Sequence, residues 1–376
     1  APPGNRGISL FLVPKFLLGA DGTPGAANDA RCHSIEHKLG IHASPTCTMV
    51  YGDNGGAVGW LVGEENRGLA CMFTMMNNAR LAVGLQGVGI AERATQAALA
   101  YARERKQGRA AGAEGSAPII LHPDVKRTLL TMRGLTRAAR AICYATAVAT
   151  DASHRAPDEA ARQAAHERAS LLTPVAKAFS TDIGTEVASL GVQVHGGMGF
   201  VEETGAAQHY RDARIAQIYE GTNGIQAIDL VTRKLPMSDG QAVRGYIDEL
   251  RRTAATAAAS NDPQLGPAGA RLQEGTESLS RATEWLLGRL PNAPNDALAG
   301  ATPYLRLFGT VAGGCALARE ARAAMRLPAG DGSDAGGRAV LARFFAENVV
   351  PLASGLEKSV TEGSDSLVRA DMALAS

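Results

Sequence analysis

Residues Gly191–Asp229 read GVQVHGGMGFVEETGAAQHYRDARIAQIYEGTNGIQAID: a glycine knot, a charged crossing, then one acidic residue on a tight turn. Gly196, Gly197 and Gly199 remove side chains where a ligand or a second backbone must come close. Glu220 is followed by Gly221 and Thr222, so its carboxylate sits where the chain turns sharply, a geometry that suits an aimed base. Asn223 and Gln226 have capping-box spacing ahead of the apolar run IQAIDLV, which sets Glu220 just before a helix N-terminus where an anionic group can dock. A lone Glu in a loop is ordinarily a solvated surface residue. Here the glycine turn upstream, with Arg211 and Asp212 between, makes a composite site for a phosphorylated cofactor and a base. The dinucleotide-binding fingerprint is excluded by context, because HGGMG closes a helical segment and does not join a strand to a helix.

Upstream of this stretch, helical periodicity runs over roughly 69–107, 123–151 and 158–194, and it resumes over 223–235, four segments that suggest a bundle. Pro123 and Asp124 mark a helix start, where a missing N–H is harmless and negative charge favours the dipole. Pro174 is expected to kink or divide the third segment. The glycines of LAVGLQGVGIAER recur on nearly one face and read first as close helix packing. Arg103, Arg105 and Arg109 end a helix where cations offset the dipole. Arg80 reads either as a surface ion pair or as a contact to an anionic substrate. His195 stands without partners at metal spacing, so a structural role is expected and no metal is assigned.

Residues 1–66 hold short apolar runs, ISLFLV, TCTMVY and AVGWLV, broken by Gly, Pro, Asn and Asp, as in a β-rich unit of three or four strands. Such a unit leaves apolar surface and free edges, so earlier segments of the natural protein are expected to be absent. Residues 237–376 continue as Ala-rich helices separated by NDPQLGP, PNAPND and LPAGDGSDAGG, read as a packing or assembly unit. Residues 240–376 contain 14 Lys or Arg and 15 Asp or Glu, and the whole chain has a net charge of +1, which argues against broad capture of nucleic acid or anionic membrane. The 5 cysteines are widely spaced and lack any CxxC, as in reduced thiols of a cytoplasmic protein. No apolar run reaches the length of a membrane span.

From GISLFLVP to about Leu235 the chain resembles the acyl-CoA dehydrogenases, most specifically in QVHGGMGF and RDARIAQIYEGTNGIQ. The order of KLGIHASPT, NNAR, ERK, the glycine knot and YEGT also agrees, and EHKLGIHASPT with the long C-terminal extension looks most like a large bacterial branch. The resemblance implies a mainly α fold with a β-rich N-terminal segment: 1–66 as the end of the central β domain, 67–236 as a four-helix up-and-down bundle and 237–376 as an additional helical domain. It further implies FAD bound between the β domain, the bundle and a neighbouring subunit.

By the same resemblance Glu220 is the base that removes the α-proton of an acyl-CoA while flavin N5 takes the β-hydride, leaving a trans-2,3-enoyl-CoA. Such a proton is only weakly acidic, so the family polarises the thioester carbonyl with the base's own N–H and a flavin hydroxyl. Tyr219 and Gly221 flank the thioester, and Asn77 with Arg80 meets the CoA portion. Arg105, Gln193, Gly196 and Gly197 contact the FAD of a partner subunit, and Thr222 contacts its own. Implied partners are an electron-transfer flavoprotein and further copies, as homodimer or homotetramer. Two alternatives stay open: a medium- or long-chain fatty acyl-CoA dehydrogenase, and a non-catalytic binding protein of the same fold.

Overall fold

A computed structural model describes residues 1–375 apart from 113, 264 and 329–333, and by internal packing the chain divides into two compact units, Ala1–Ala79 and Arg80–Ser376. In the first unit, strands β1 (Leu10–Leu12), β2 (Phe16–Leu18), β3 (Pro24–Ala27), β4 (Ala30–Ile35), β5 (Cys47–Tyr51) and β6 (Trp60–Val62) form three antiparallel pairs, β1 with β6, β2 with β3 and β4 with β5. The expected three or four strands are thus too few. PGAA and ARCHSI lack strong strand propensity, and it is the cross-strand ladders to β2 and β5 that make strands of them. Asn28 ties the pairs together: its amide donates to Pro14 O at 2.9 Å and Val58 O at 2.8 Å, and its Oδ1 accepts the N–H of Val58. Little apolar surface is covered, with Phe11, Leu12, Leu18 and Trp60 all exposed.

Helix α1 (Gly68–Glu104) begins in the first unit and continues into the second. There follow α2 (Pro123–Arg155), α3 (Glu159–His195), the short α4 (Ala206–Arg214) and α5 (Asn223–Asp229), which runs into a π-turn at Leu230–Lys234. The Asp158 carboxylate caps α3 by accepting the Ala161 N–H at 2.8 Å. Pro174 does not divide α3, which stays one element; Pro174 and its neighbours on both sides are buried, so packing offsets the missing bond. In the second unit two of the three glycines of LAVGLQGVGIAER serve close packing: a Cβ at Gly84 would lie 2.5 Å from Ala176 O, and one at Gly87 would lie 2.5 Å from Ser180 O, both on α3, whereas a Cβ at Gly89 would meet nothing within 4 Å, so the packing reading fails there.

Beyond the bundle come α6 (Gln241–Ala258), α7 (Leu265–Arg289), α8 (Pro294–Ala299), α9 (Ala301–Ala324), α10 (Ala335–Asn348), α11 (Leu352–Thr361), α12 (Ser364–Val368) and α13 (Ala370–Leu374). The break LPAGDGSDAGG falls partly outside the described residues. Helix α9 is apolar around most of its circumference, and it is buried accordingly, with Tyr304, Leu307, Phe308 and Val311 fully covered. Gly313 lets it approach α2, where a Cβ would stand 2.6 Å from that of Ala138. One continuous apolar core therefore runs from Val88 to Val360. Arg137–Glu320 and Arg306–Glu186, both at 2.8 Å, tie α9 to α2 and α3. Among the described residues no single helix is long and apolar enough to cross a membrane; the bent pair α10 and α11 turns Phe345 and Val360 into the core.

Candidate active site

The chain between α4 and α5 reverses at Glu220 and Gly221, whose φ angles are 56° and 82°. Left-handed backbone suits Gly221, but it is disfavoured for Glu220 and persists only where the surroundings over-determine it. Those surroundings are polar and inflexible. Lys177, from the interior of α3, donates to Gly221 O and to Asn223 Oδ1, each at 2.8 Å. Gln226 Nε2 reaches the carbonyls of Glu220 and Gly221 at 3.3 and 3.4 Å. Asn223 Nδ2 donates to Asp182 Oδ1 at 2.7 Å, and Gln217 Nε2 meets the same oxygen at 2.6 Å. The backbone is thus bolted to α3 while the half-buried Glu220 carboxylate makes no hydrogen bond or ion pair among the described residues. That combination presents an uncommitted carboxylate in a fixed direction.

Charge surrounds the turn. Lys177 has no exposed surface, and its burial pushes the ammonium down to about 8, with Asp182 pulling it back up, Arg80 pushing it further down and Glu220 pulling it up. Arg80 is not a surface ion pair: its side chain is 11% exposed and meets Asp229, 3% exposed, at 3.5 Å. Arg233 binds the other oxygen of Asp229 at 2.5 Å, so Arg80 shares its counter-ion, and Arg80 Nε is buried without a partner among the described residues. The Tyr219 hydroxyl donates to Gln86 on α1, and burial holds its pKa above the usual phenol value.

A second feature lies at the glycine knot. Tyr101, Arg105, Gln107, Ile119, His195, Gly196, Gly197 and Met198 line a cleft of about 440 Å³. Gly196 closes α3 at φ 59°, and a Cβ at either Gly196 or Gly197 would meet nothing within 4 Å, so both present bare backbone to open space. Gly199 differs, because a side chain there would strike Val192 O. His195 is buried, its Nδ1 bonded to Gly191 O at 2.7 Å and its ring 4.5 Å from that of Tyr101. Arg211 is engaged with Glu202 at 2.7 Å.

Of the residues singled out by sequence, Glu220, Tyr219, Gly221, Thr222 and Arg80 belong to the turn and its surroundings, while Arg105, Gly196 and Gly197 line the cleft. Gln193 is exposed on the last turn of α3, and Asn77 is exposed on the part of α1 that belongs to the first unit. The cap of α5 is Thr222, whose hydroxyl accepts the Ile225 N–H at 3.3 Å, and not Asn223, whose side chain is drawn into α3. Sequence reading missed Lys177, Asp182 and Asp229. A hint was present: Lys177 shares a helix face with Thr173, Thr181 and Gly184, a small polar stripe amid an otherwise apolar run.

Residues 66–235 match the family described as Acyl-CoA dehydrogenase, C-terminal domain, and residues 246–371 match Acetyl-CoA dehydrogenase C-terminal like. The chain is 46% identical to 3-methylmercaptopropionyl-CoA dehydrogenase of Ruegeria pomeroyi, over 99% of this chain and 63% of the relative. It is 34% identical to a butyryl-CoA dehydrogenase of Syntrophomonas wolfei, over 98% of this chain and 62% of the relative. The chain therefore spans less than two thirds of these relatives' length. Caenorhabditis elegans ACDH-11 in complex with C11-CoA shares the fold with a TM-score of 0.72 at 22% identity, covering 92% of this chain and 54% of that one. An acyl-CoA dehydrogenase from Bacillus anthracis complexed with FAD does so with a TM-score of 0.71 at 19% identity, covering 95% and 61%.

Proposed function

The chain belongs to the acyl-CoA dehydrogenase family, and from that premise we propose that it supplies the catalytic base and part of the cofactor cleft of an enzyme that forms a trans-2,3-enoyl-CoA. The observation that carries this reading is the Glu220 turn, where a carboxylate with no partner among the described residues stands on backbone held by Lys177, Gln226 and Asn223. Glu220 removes the α-proton of the thioester. A base aimed by fixed backbone loses little orientational freedom when it reacts. The Glu220 N–H donates to no backbone carbonyl among the described residues, which leaves it able to polarise the thioester oxygen.

The residues at the glycine knot fit FAD: bare backbone at Gly196 and Gly197 opens onto the cleft, and Arg105 offers an exposed cation for a phosphate. When bound, FAD supplies a hydride acceptor. Arg105, Gln193, Gly196 and Gly197 hold the cofactor of a partner subunit in this reading, in a homodimer or homotetramer. Thr222 keeps its hydroxyl proton available for the cofactor of its own subunit, since as a cap that oxygen only accepts. Tyr219 and Gly221 border the thioester, and Arg80 with Asn77 faces the CoA portion. The substrate is a short acyl-CoA, 3-methylmercaptopropionyl-CoA first, in keeping with the names of the two relatives. Electrons leave to an electron-transfer flavoprotein in the cytoplasm.

The test is Glu220→Gln in the full-length protein, with flavin reduction followed by rapid mixing over acyl-CoAs from butyryl to palmitoyl. Gln keeps the shape and cannot take a proton, so the rate should fall by about 10²–10⁴ with flavin content unchanged. Reduction of the Gln variant at the parent rate sinks the assignment, and a preference for palmitoyl-CoA sinks the short-chain reading.

A further inference from the structure

We propose that Lys177 is a positioning residue for Glu220, a buried cationic clamp that holds the left-handed turn and so sets the direction in which the carboxylate points. The proposal deepens the reading of Glu220 as the base and rests on it. An ammonium has three donors and no acceptor. Two of the three are spent on Gly221 O and Asn223 Oδ1, the acceptors on either side of Thr222 at the start of α5. Of the other ties on the turn, those from Gln226 come from α5 itself, whereas the Asn223 amide reaches Ala178 O, Thr181 and Asp182 on α3. Lys177 belongs to α3, 44 residues before Gly221 in the chain, and the stretch of α3 around it, from Leu171 to Thr181, is buried throughout. The Asn223 ties to α3 run through side chains; Lys177 is, among the described residues, the α3 group that grips the backbone of the turn itself, at Gly221 O.

A neutral donor would satisfy the same carbonyl without the cost of burying charge, so the choice of lysine calls for a second reason. The ammonium brings a positive charge close to a carboxylate that must be ionised to accept a proton, and the two groups interact electrostatically. The other charges that face Lys177 are Asp182 on its own helix and Arg80 on α1. Asp182 also holds Asn223 and Gln217, so the acceptor that balances Lys177 grips the same turn from both sides. Buried Lys177 and half-buried Asp182 thereby order the backbone before and after Glu220.

The experiment compares Lys177→Met and Lys177→Gln with the parent and with Glu220→Gln, all as flavin-loaded full-length protein. Three quantities are read: the rate of flavin reduction, KM, and amide hydrogen exchange over 215–226. Methionine keeps length and apolar volume and removes every donor; the rate should fall about 100-fold while KM stays within about threefold. The amides of the turn should exchange at least about tenfold faster, with α2 unchanged. Glutamine retains a donor and should give an intermediate rate; should the Met variant fail to fold, a slowed Gln variant supports the clamp and a parent-like one overturns it. A Met variant at the parent rate, with Glu220→Gln inactive in the same assay, overturns the clamp and leaves the base standing. If Glu220→Gln is active, the base assignment fails instead, and unchanged exchange in the Met variant then removes the clamp on its own evidence.

Discussion

At Lys177 a charge is held out of water, and its contribution to stability depends on pH with a definite sign. Its folded value is about 8 against 10.5 for a free lysine, so between those limits the unfolded chain binds more protons than the folded one. Stability contributed by this group is therefore lowest below about pH 8 and rises as pH climbs toward 10.5. Over the same window the ammonium that grips Gly221 O and Asn223 Oδ1 is lost, and activity should move the other way. The urea midpoint of the parent, referred to that of Lys177→Met at each pH, should rise through this window while parent flavin reduction declines. A difference that stays flat would mean that Lys177 titrates as an ordinary lysine. Asp182, Arg80 and Glu220 are the charges that set the balance, and Asp229 keeps Arg80 partly neutralised.

Between elements, the approach of α1 to α3 is set by missing side chains. Gly87→Ala would push a methyl to 2.5 Å from Ser180 O, a backbone atom that cannot swing aside. The expected loss is about 1–3 kcal/mol, in the range for overpacked interiors, read from urea or thermal melts. Gly89, two positions on, has nothing within 4 Å of the place a methyl would take, so Gly89→Ala should be neutral or gain up to about 1 kcal/mol from helix propensity alone. Equal effects at the two sites would contradict the packing reading. The same contact explains why α3 survives Pro174: the helix there is enclosed, and unravelling it would expose Leu171, Leu172 and Val175.

For the molecule as a whole, the helices after Pro236 complete a core that the bundle begins. Phe179 of α3 lies against Gly309 of α9, and Ala138 of α2 lies against Gly313. A chain that ends at Pro236 leaves these faces bare; its melting temperature should drop by more than about 5 °C, a shift equivalent to a few kcal/mol at this size. Circular dichroism melts with sizing of the same samples check it. An unchanged transition and unchanged mass would show that the tail is dispensable to both fold and assembly.

The spans of α1, α2 and α3, the Glu220 turn and the packing role of Gly84 and Gly87 were legible in the residues alone, because periodicity, caps and glycine spacing act within a few positions; α4 was not, and the segment read over 223–235 ends as an α-helix at Asp229. The strand status of PGAA and ARCHSI was not, since neighbouring strands confer it. Nor was the cap of α5: Asn is the better cap by propensity, and the choice falls to Thr222 because Asp182 and Thr181 of α3 claim the Asn223 amide. Lys177 is the extreme case. Nothing near TPVAKAF in the chain mentions YEGT, yet a buried ammonium must find acceptors, and the register of α3 against the turn places Gly221 O and Asn223 Oδ1 within its reach. Local propensities differ by tenths of a kcal/mol, whereas an unpaired donor inside a core costs about 1–3 kcal/mol, so where buried polar groups must pair it is the tertiary structure that decides.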